Sequence, residues 1–469
     1  LAQFAHDLDC TVLISLFLRI KLKQDQSLRP SHVRWAILSC ITGVTVLTYL
    51  DRLNLSVAGK YIQDELALST HGMGWIFSAF LLGYAAFQLI GGWAGDRIGP
   101  KNVLTAAILL WSIFTALTGF APKLILAKYF GVVASFMIVR FLVGVGEAAN
   151  SPNANKLVSN WIGEAHRGMG SSFTILGIGI GGALTPPLIS WIMRTWGWRA
   201  SFYISGLLGL GVVLIWEWYV TNLPEEHSQV NSQELAIILA DRHKKRDSGE
   251  RANVPWRRML ASRSVWALTL GYMCQGFPIY FYHTWFFIYL VRVRHLSISE
   301  GGIWGSTPYI AIALLAPLGG WFSDVAVKRL GKRAGRRTAV GVGMASSALL
   351  LWFGGNSNSS AAAISMLAIG GGLNMFAATT FWATCIDLSS EFTGSISGLM
   401  NTFGNLGGWL SPIVTAYVAT RYGWTRALDC AAIVSLLSAM LFLIVRADES
   451  LDDAVVKHAE DRAFQEVTG

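Results

Sequence analysis

Four ionisable residues sit where an apolar chain tolerates few. Asp51 and Arg52 are neighbours inside a stretch that otherwise reads as a membrane-spanning helix, and Arg140 and Glu147 interrupt another such stretch. A charge at the bilayer centre costs roughly 2.5–3.5 kcal/mol on insertion scales, so it persists where it lines a cavity or has a partner. A guanidinium stays charged under all relevant conditions and grips a carboxylate bidentately, which makes Arg52 the first candidate for anion binding. Burial favours the neutral form of a carboxylate and a nearby Arg favours the charged form. Protonating Asp51 or Glu147 therefore frees an Arg for a substrate carboxylate, and proton and anion enter together. Arg140 and Glu147 are seven apart, on nearly one helix face but about 10 Å apart along the axis. Each then needs a partner on another helix, Asp51 or Arg52. The bland alternative is a static ion cluster that only fixes helix packing.

The elements that hold these charges follow from composition. The chain has 469 residues, 53% hydrophobic and 14% charged, with mean hydropathy +0.46. Soluble domains are nearer a quarter charged, so this is a polytopic, all-α membrane protein. The net charge of +9 sits in short connections between apolar runs and implies no nucleic-acid partner. Cys10, Cys40, Cys274, Cys385 and Cys430 are scattered and form neither a disulfide framework nor a metal site. No nucleophile–base set appears, so an enzyme is not expected.

Twelve stretches are long and apolar enough to span: 35–57, 72–95, 102–121, 129–150, 168–193, 199–221, 264–291, 302–325, 338–356, 361–386, 393–420 and 424–446. The division is a cytoplasmic N-terminal extension at 1–34, a six-helix bundle at 35–221, a cytoplasmic linker at 222–263, a second six-helix bundle at 264–446 and a cytoplasmic tail at 447–469. Residue 1 is Leu, and 1–29 reads as a cytoplasmic extension. The linker is too polar to span, and 232–246 is expected to form an amphipathic surface helix. Basic residues cluster in the linker and in the loops holding Arg97 and Lys101, and Lys328 to Arg337. The positive-inside bias places these loops and both termini in the cytoplasm.

A repeat ties the halves together. LIGGWAGD, ending at Asp96, recurs as PLGGWFSD, ending at Asp324, and the GW of Trp198 recurs at Trp424. Parallel six-helix repeats with a substrate site where they meet describe a transporter architecture.

These residues resemble the major facilitator superfamily. GGWAGDRIGPK at 91–101 is similar to its loop signature between the second and third helices. The resemblance implies a gating role for Gly91, Gly92, Asp96, Arg97, Lys101 and the repeat copy Asp324. TYLDRLNLSVAG at 48–59 and RFLVGVGEAANSPNANKLVSNW at 140–161 resemble the first and fourth helices of its anion:cation symporter family. The first-helix segment and MGWIFSAFLLGYAAFQLIGGW at 73–93 most resemble bacterial transporters for galactonate, glucarate and hexuronates.

The resemblance implies proton coupling at Asp51 and Glu147, and substrate contact at Arg52, Arg140, Tyr49, Tyr84, Thr379, Trp382 and Asn401. Gln88, one turn after Tyr84, and Asn405, one turn after Asn401, serve either the pocket or interhelical hydrogen bonds. Gly177 stands where sugar-acid transporters carry a Gln, which suggests close packing there. His283, between Tyr282 and Thr284, is a packing residue or, facing the cavity, a substrate ligand. The reading is a proton-coupled, monomeric symporter of a small organic anion, a sugar acid above others, in the bacterial inner membrane. It needs no cofactor beyond the proton gradient. Alternatives are a carrier for an aromatic acid, tartrate or vitamin carboxylate, a drug exporter, or a non-transporting sensor.

Overall fold

The computed structural model describes residues 29–162, 167–239, 256–389 and 393–449, with only the backbone of 89, 96, 167–172, 175, 258 and 394. The first half runs α1 (Val33–Leu66), α2 (Thr70–Ile98), α3 (Pro100–Phe120), the short α4 (Ile125–Phe130), α5 (Val132–Ala148), α6 (Asn150–Trp161), α7 (Arg167–Trp196) and α8 (Trp198–Tyr219). The linker holds α9 (Ser232–Leu239) and α10 (Trp256–Ala261). The second half runs α11 (Arg263–Thr284), α12 (Phe286–Arg292), α13 (Ile298–Gly305), α14 (Thr307–Asn356), α15 (Ser360–Leu388), α16 (Thr393–Tyr422) and α17 (Trp424–Phe442).

Among the described residues, eight helical stretches are long and apolar enough to cross a bilayer. The 59-residue stretch Ile298–Asn356 is two spans, because Gly331 takes φ +81° inside α14, a conformation that glycine adopts without Cβ strain. With α2, α11/α12 and α16 the spans number twelve. Several overrun the expected lengths. The first reaches Leu66 rather than 57, because Gln63, Asp64 and Glu65 carry the helix beyond the apolar run. The fourth continues through α6 to Trp161. Of the surface helix expected at 232–246, α9 accounts for 232–239 and the remainder lies outside the described residues, as does most of the 1–34 extension.

Pairing repeats with the sequence. In the first half α1 packs on α7 and α2 on α5; in the second α11 packs on α16 and α14 on α15. Across the interface α2 packs on α16, and α13 and α14 pack on α7. A shift of six spans turns the first of these contacts into the second.

Cross-half hydrogen bonds gather toward the end away from the linker. Ser56 Oγ donates to Thr284 O at 2.7 Å, Ser306 Oγ to Ala183 O at 2.5 Å, and Arg292 pairs with Asp64 at 2.7 Å. Deeper toward the linker, Asn401 and Asn405 each donate to Gln88 Oε1, at 3.2 and 3.3 Å.

Among the bonds that fasten the linker to the first half, one carboxylate caps a helix. The first N–H groups of a helix have no partner within it, and His32, at the N-cap of α1, supplies no side-chain cap. Glu234 of α9, fully buried, accepts from the backbone N–H of Val33 at 3.0 Å and of Arg34 at 3.1 Å, and from the Ser31 hydroxyl. A carboxylate at a helix N-terminus also meets the positive end of the helix dipole.

Candidate functional site

The two halves enclose a cavity of about 130 Å³. α1 supplies Tyr49 and Arg52, α11 supplies Gln275, Tyr280 and His283, α14 supplies Tyr309, and α16 supplies Asn401 and Asn405. Arg52 is the one permanent cation in the described wall.

Arg52 is held from two directions. Its Nε donates to Glu147 Oε2 at 2.7 Å. Its guanidinium carbon lies 4.8, 5.3 and 5.6 Å from the ring centroids of Tyr84, Phe80 and Tyr49. Such cation–π contacts are worth about 0.5–2 kcal/mol each, more as water is excluded. The side chain keeps 14% exposure while Glu147 has none, so an anion in the cavity meets Arg52 with Glu147 behind it.

The adjacent residue differs. Asp51 is fully buried and neither of its oxygens has a hydrogen-bond partner. Arg140, 2% exposed, leaves Nε and Nη1 without partners and packs 5.1 Å from the Phe80 ring. Arg140, expected to touch substrate, does not line the described cavity wall. It interacts electrostatically with both Asp51 and Glu147, while the direct bond to Glu147 comes from Arg52, one of the two partners its spacing called for. Tyr84 likewise stands behind Arg52, its hydroxyl 3.1 Å from Ser151 Oγ.

The second half presents neutral groups. His283 Nδ1 lies 2.8 Å from Ile279 O, and the ring is 5.8, 5.3 and 5.7 Å from those of Tyr49, Tyr280 and Tyr309. Gln275 was not anticipated from the sequence, although an amide inside an apolar span is itself a signal. Its Nε2 donates to Asn374 Oδ1 at 2.5 Å, and Asn374 Nδ2 returns a bond to Gln275 O at 3.2 Å, which fixes the amide at the wall.

Two expected contacts are misplaced. Thr379 donates to Phe376 O at 2.8 Å and borders a separate, largely apolar cavity between α7 and α14. Trp382 is 43% exposed, and its Nε1 donates to Tyr272 Oη at 3.1 Å. Tyr272, not Trp382, lines the cavity. The α15 face carrying these two residues turns away from the cavity. Gly177 packs as expected: a Cβ there would lie 2.7 Å from Thr45 Cβ and 2.9 Å from Thr42 O, so α7 seats directly on α1.

The expected gating residues lie at the linker end. Gly91 brings α2 against α5, where a Cβ would sit 2.6 Å from Ala149 Cα, while Gly92 faces Pro152 at 3.4 Å. Lys101 pairs with Glu217 at 2.9 Å, and Arg97 lies over the Trp93 ring at 4.8 Å. The Asp96 side chain lies outside the described residues. Its repeat copy Asp324 pairs with Arg336 at 3.1 Å, and Arg336 also reaches Asp387 at 2.8 Å. That cluster braces three spans of one half, so its described bonds do not cross the interface.

An arginine on the wall of an otherwise neutral cavity between two repeated bundles presents a positive charge to whatever enters it. The chain is 32% identical over 399 residues to the probable sulfoacetate transporter of Cupriavidus necator, covering 85% of this chain and 89% of that one. It is 31% identical over 436 residues to a probable galactarate/D-glucarate transporter of Escherichia coli, covering 90% and 95%. A bacterial homolog of the human lysosomal transporter Spinster, in an inward-facing and unoccupied conformation, superposes with TM-score 0.71 at 18% identity, covering 89% of this chain and 98% of that one. The family model of the Major Facilitator Superfamily matches residues 41–412, and with the paired six-span bundles around one cavity it places this chain, a transporter and not an enzyme, in that superfamily.

Proposed function

We propose that the protein imports a sugar acid or a closely related organic anion together with protons, by alternating access. The observation that carries this reading is the Arg52–Glu147 pair at 2.7 Å on the cavity edge. A substrate carboxylate and Glu147 compete for one guanidinium, and a proton on Glu147 settles the competition for the substrate. Asp51, buried beside it without a hydrogen bond, is the second proton site. The amides of Gln275, Asn401 and Asn405 donate to and accept from hydroxyls, which suits a polyhydroxy chain better than a hydrophobic drug. The names of the relatives support the anion.

The bundles rock about the cavity; the contacts away from the linker support an arrangement closed on that side. The basic linker and loops support cytoplasmic termini, and bacterial relatives support the inner membrane. The cavity is built from one chain, so the monomer is the working unit, with the proton gradient as its only energy source. Reconstituted into proteoliposomes, the protein accumulates sugar acid under an inward proton gradient. Asp51→Asn abolishes accumulation and preserves exchange of labelled for unlabelled substrate. Undiminished accumulation by that variant removes Asp51 from the coupling role, and transport indifferent to the proton gradient overturns symport.

A further inference from the structure

The sugar acids that relatives of this chain carry divide by charge. Glucarate, like sulfoacetate, has two acidic ends, whereas galactonate and the hexuronates have one. A dianion needs a second cation or a donor-rich surface in the wall. Arg52 is the only permanent cation there among the described residues, so the group that meets the rest of the substrate decides.

That group is the His283 ring. A carbonyl oxygen only accepts, so the 2.8 Å contact with Ile279 O puts the hydrogen of His283 on Nδ1. In the neutral ring Nε2 then carries a lone pair. Among the described residues Nε2 has no hydrogen-bond partner, and the residue lines the cavity. No carboxylate faces the ring in the described cavity wall. Tyr49 of α1, Tyr280 of its own helix and Tyr309 of α14 surround it, and the charged group sharing its cavity is the Arg52 cation. Tyr49 neighbours both groups, its ring 5.6 Å from the Arg52 guanidinium carbon and 5.8 Å from the His283 ring, so one short molecule reaches both.

We infer that His283 is the specificity-determining residue. Its Nε2 accepts a hydrogen bond from a hydroxyl of the substrate whose carboxylate Arg52 holds, so the site takes a hydroxy monoanion and rejects a dianion. A second carboxylate placed at Nε2 would face a lone pair where it needs a donor, whereas a hydroxyl finds its acceptor. A site built to hydrogen-bond a hydroxyl discriminates strongly against a ligand that cannot supply it, because the buried polar group is left unpaired. This inference rests on the anion-transport reading above.

The test uses the full chain in detergent, with D-gluconate and D-glucarate as competing ligands and hexanoate as the monoanion without hydroxyls. Wild type is expected to bind gluconate at least about tenfold more tightly than glucarate or hexanoate, and His283→Phe to lose about tenfold for gluconate alone. His283→Lys is expected to reverse the gluconate-to-glucarate preference. Nitrogen-15 NMR of histidine-labelled wild type, which needs no variant, should show a protonated Nδ1 and a bare Nε2 for this residue. Equal binding of gluconate and glucarate, or a protonated Nε2, overturns the inference and leaves anion transport standing. Binding of none of the three anions overturns both.

Discussion

Replacing Glu147 by Gln removes the charge that holds Arg52 but keeps the side chain's length and a carbonyl acceptor. Two opposing effects follow. Opposite charges about 4 Å apart attract by about 4 kcal/mol at an effective dielectric near 20, and a charge-assisted hydrogen bond nets about 1.5–3 kcal/mol after exchange with solvent. The smaller figure applies, because Arg52 keeps 14% exposure to the cavity and is partly screened. A substrate no longer required to displace Glu147 therefore binds about 10- to 100-fold more tightly at alkaline pH. Against this, breaking a buried pair by removing one partner costs about 3–5 kcal/mol of stability. The retained Gln acceptor and three aromatic rings around the guanidinium offset much of that, so the variant folds with a lowered melting temperature. Titration calorimetry with gluconate at acidic and alkaline pH is the assay. Wild-type affinity should weaken as pH rises and Glu147 regains its charge, while the Gln variant stays tight and flat. Its gradient-driven accumulation is lost and its exchange kept. A variant that binds as weakly as wild type at alkaline pH, with the same pH slope, refutes the competition.

Three further outcomes are expected. Arg52→Lys keeps the charge but loses the planar fork and ring stacking, and gluconate affinity measured by calorimetry should fall about 10- to 100-fold with insertion intact. Gly177→Ala pushes a methyl to within 2.7 Å of Thr45 Cβ, so overpacking should cost about 1–3 kcal/mol, seen as a lower melting temperature without substrate. Arg292→Gln breaks the 2.7 Å bond to Asp64 across the halves. Because that pair is about one-third to one-half exposed and worth about 1 kcal/mol at most, it should shift the outward-to-inward ratio only several-fold, as read by spin-label distances.

Much of the site was legible because charge is rare in an apolar span. Asp51, Arg52, Arg140 and Glu147 stand out one by one in the sequence. The seven-residue spacing also called for partners on another helix, and Arg52 with Glu147 is one such pair. Which of the two arginines faces the cavity was not legible, since spacing along one helix says nothing of a neighbour's rotation. The twelve spans were legible from apolar length, but their ends were not, because helices such as α1 continue into polar sequence. Thr379 and Trp382 show a second limit. Resemblance carries a position along a helix, while the face is set by packing, and α15 turns both away from the cavity. The aromatic wall of Tyr272, Tyr280 and Tyr309 was illegible because buried rings in a core and rings around a cavity share one pattern. Gln275 was legible in principle and was passed over.

The capping of α1 by Glu234 has an experimental corollary. A helix bonded through its carboxylate to the first backbone amides of α1 travels with the first bundle. A fluorophore or spin label on α9 is thus a reporter fixed to that bundle, placed in the polar part of the chain where labelling disturbs no span. Paired with a second probe near the end of α17, it becomes a ruler for rocking, readable in intact vesicles with no label placed inside the membrane. Glu234→Ala is the matching control, because releasing the cap should broaden the distance distribution without moving the cavity.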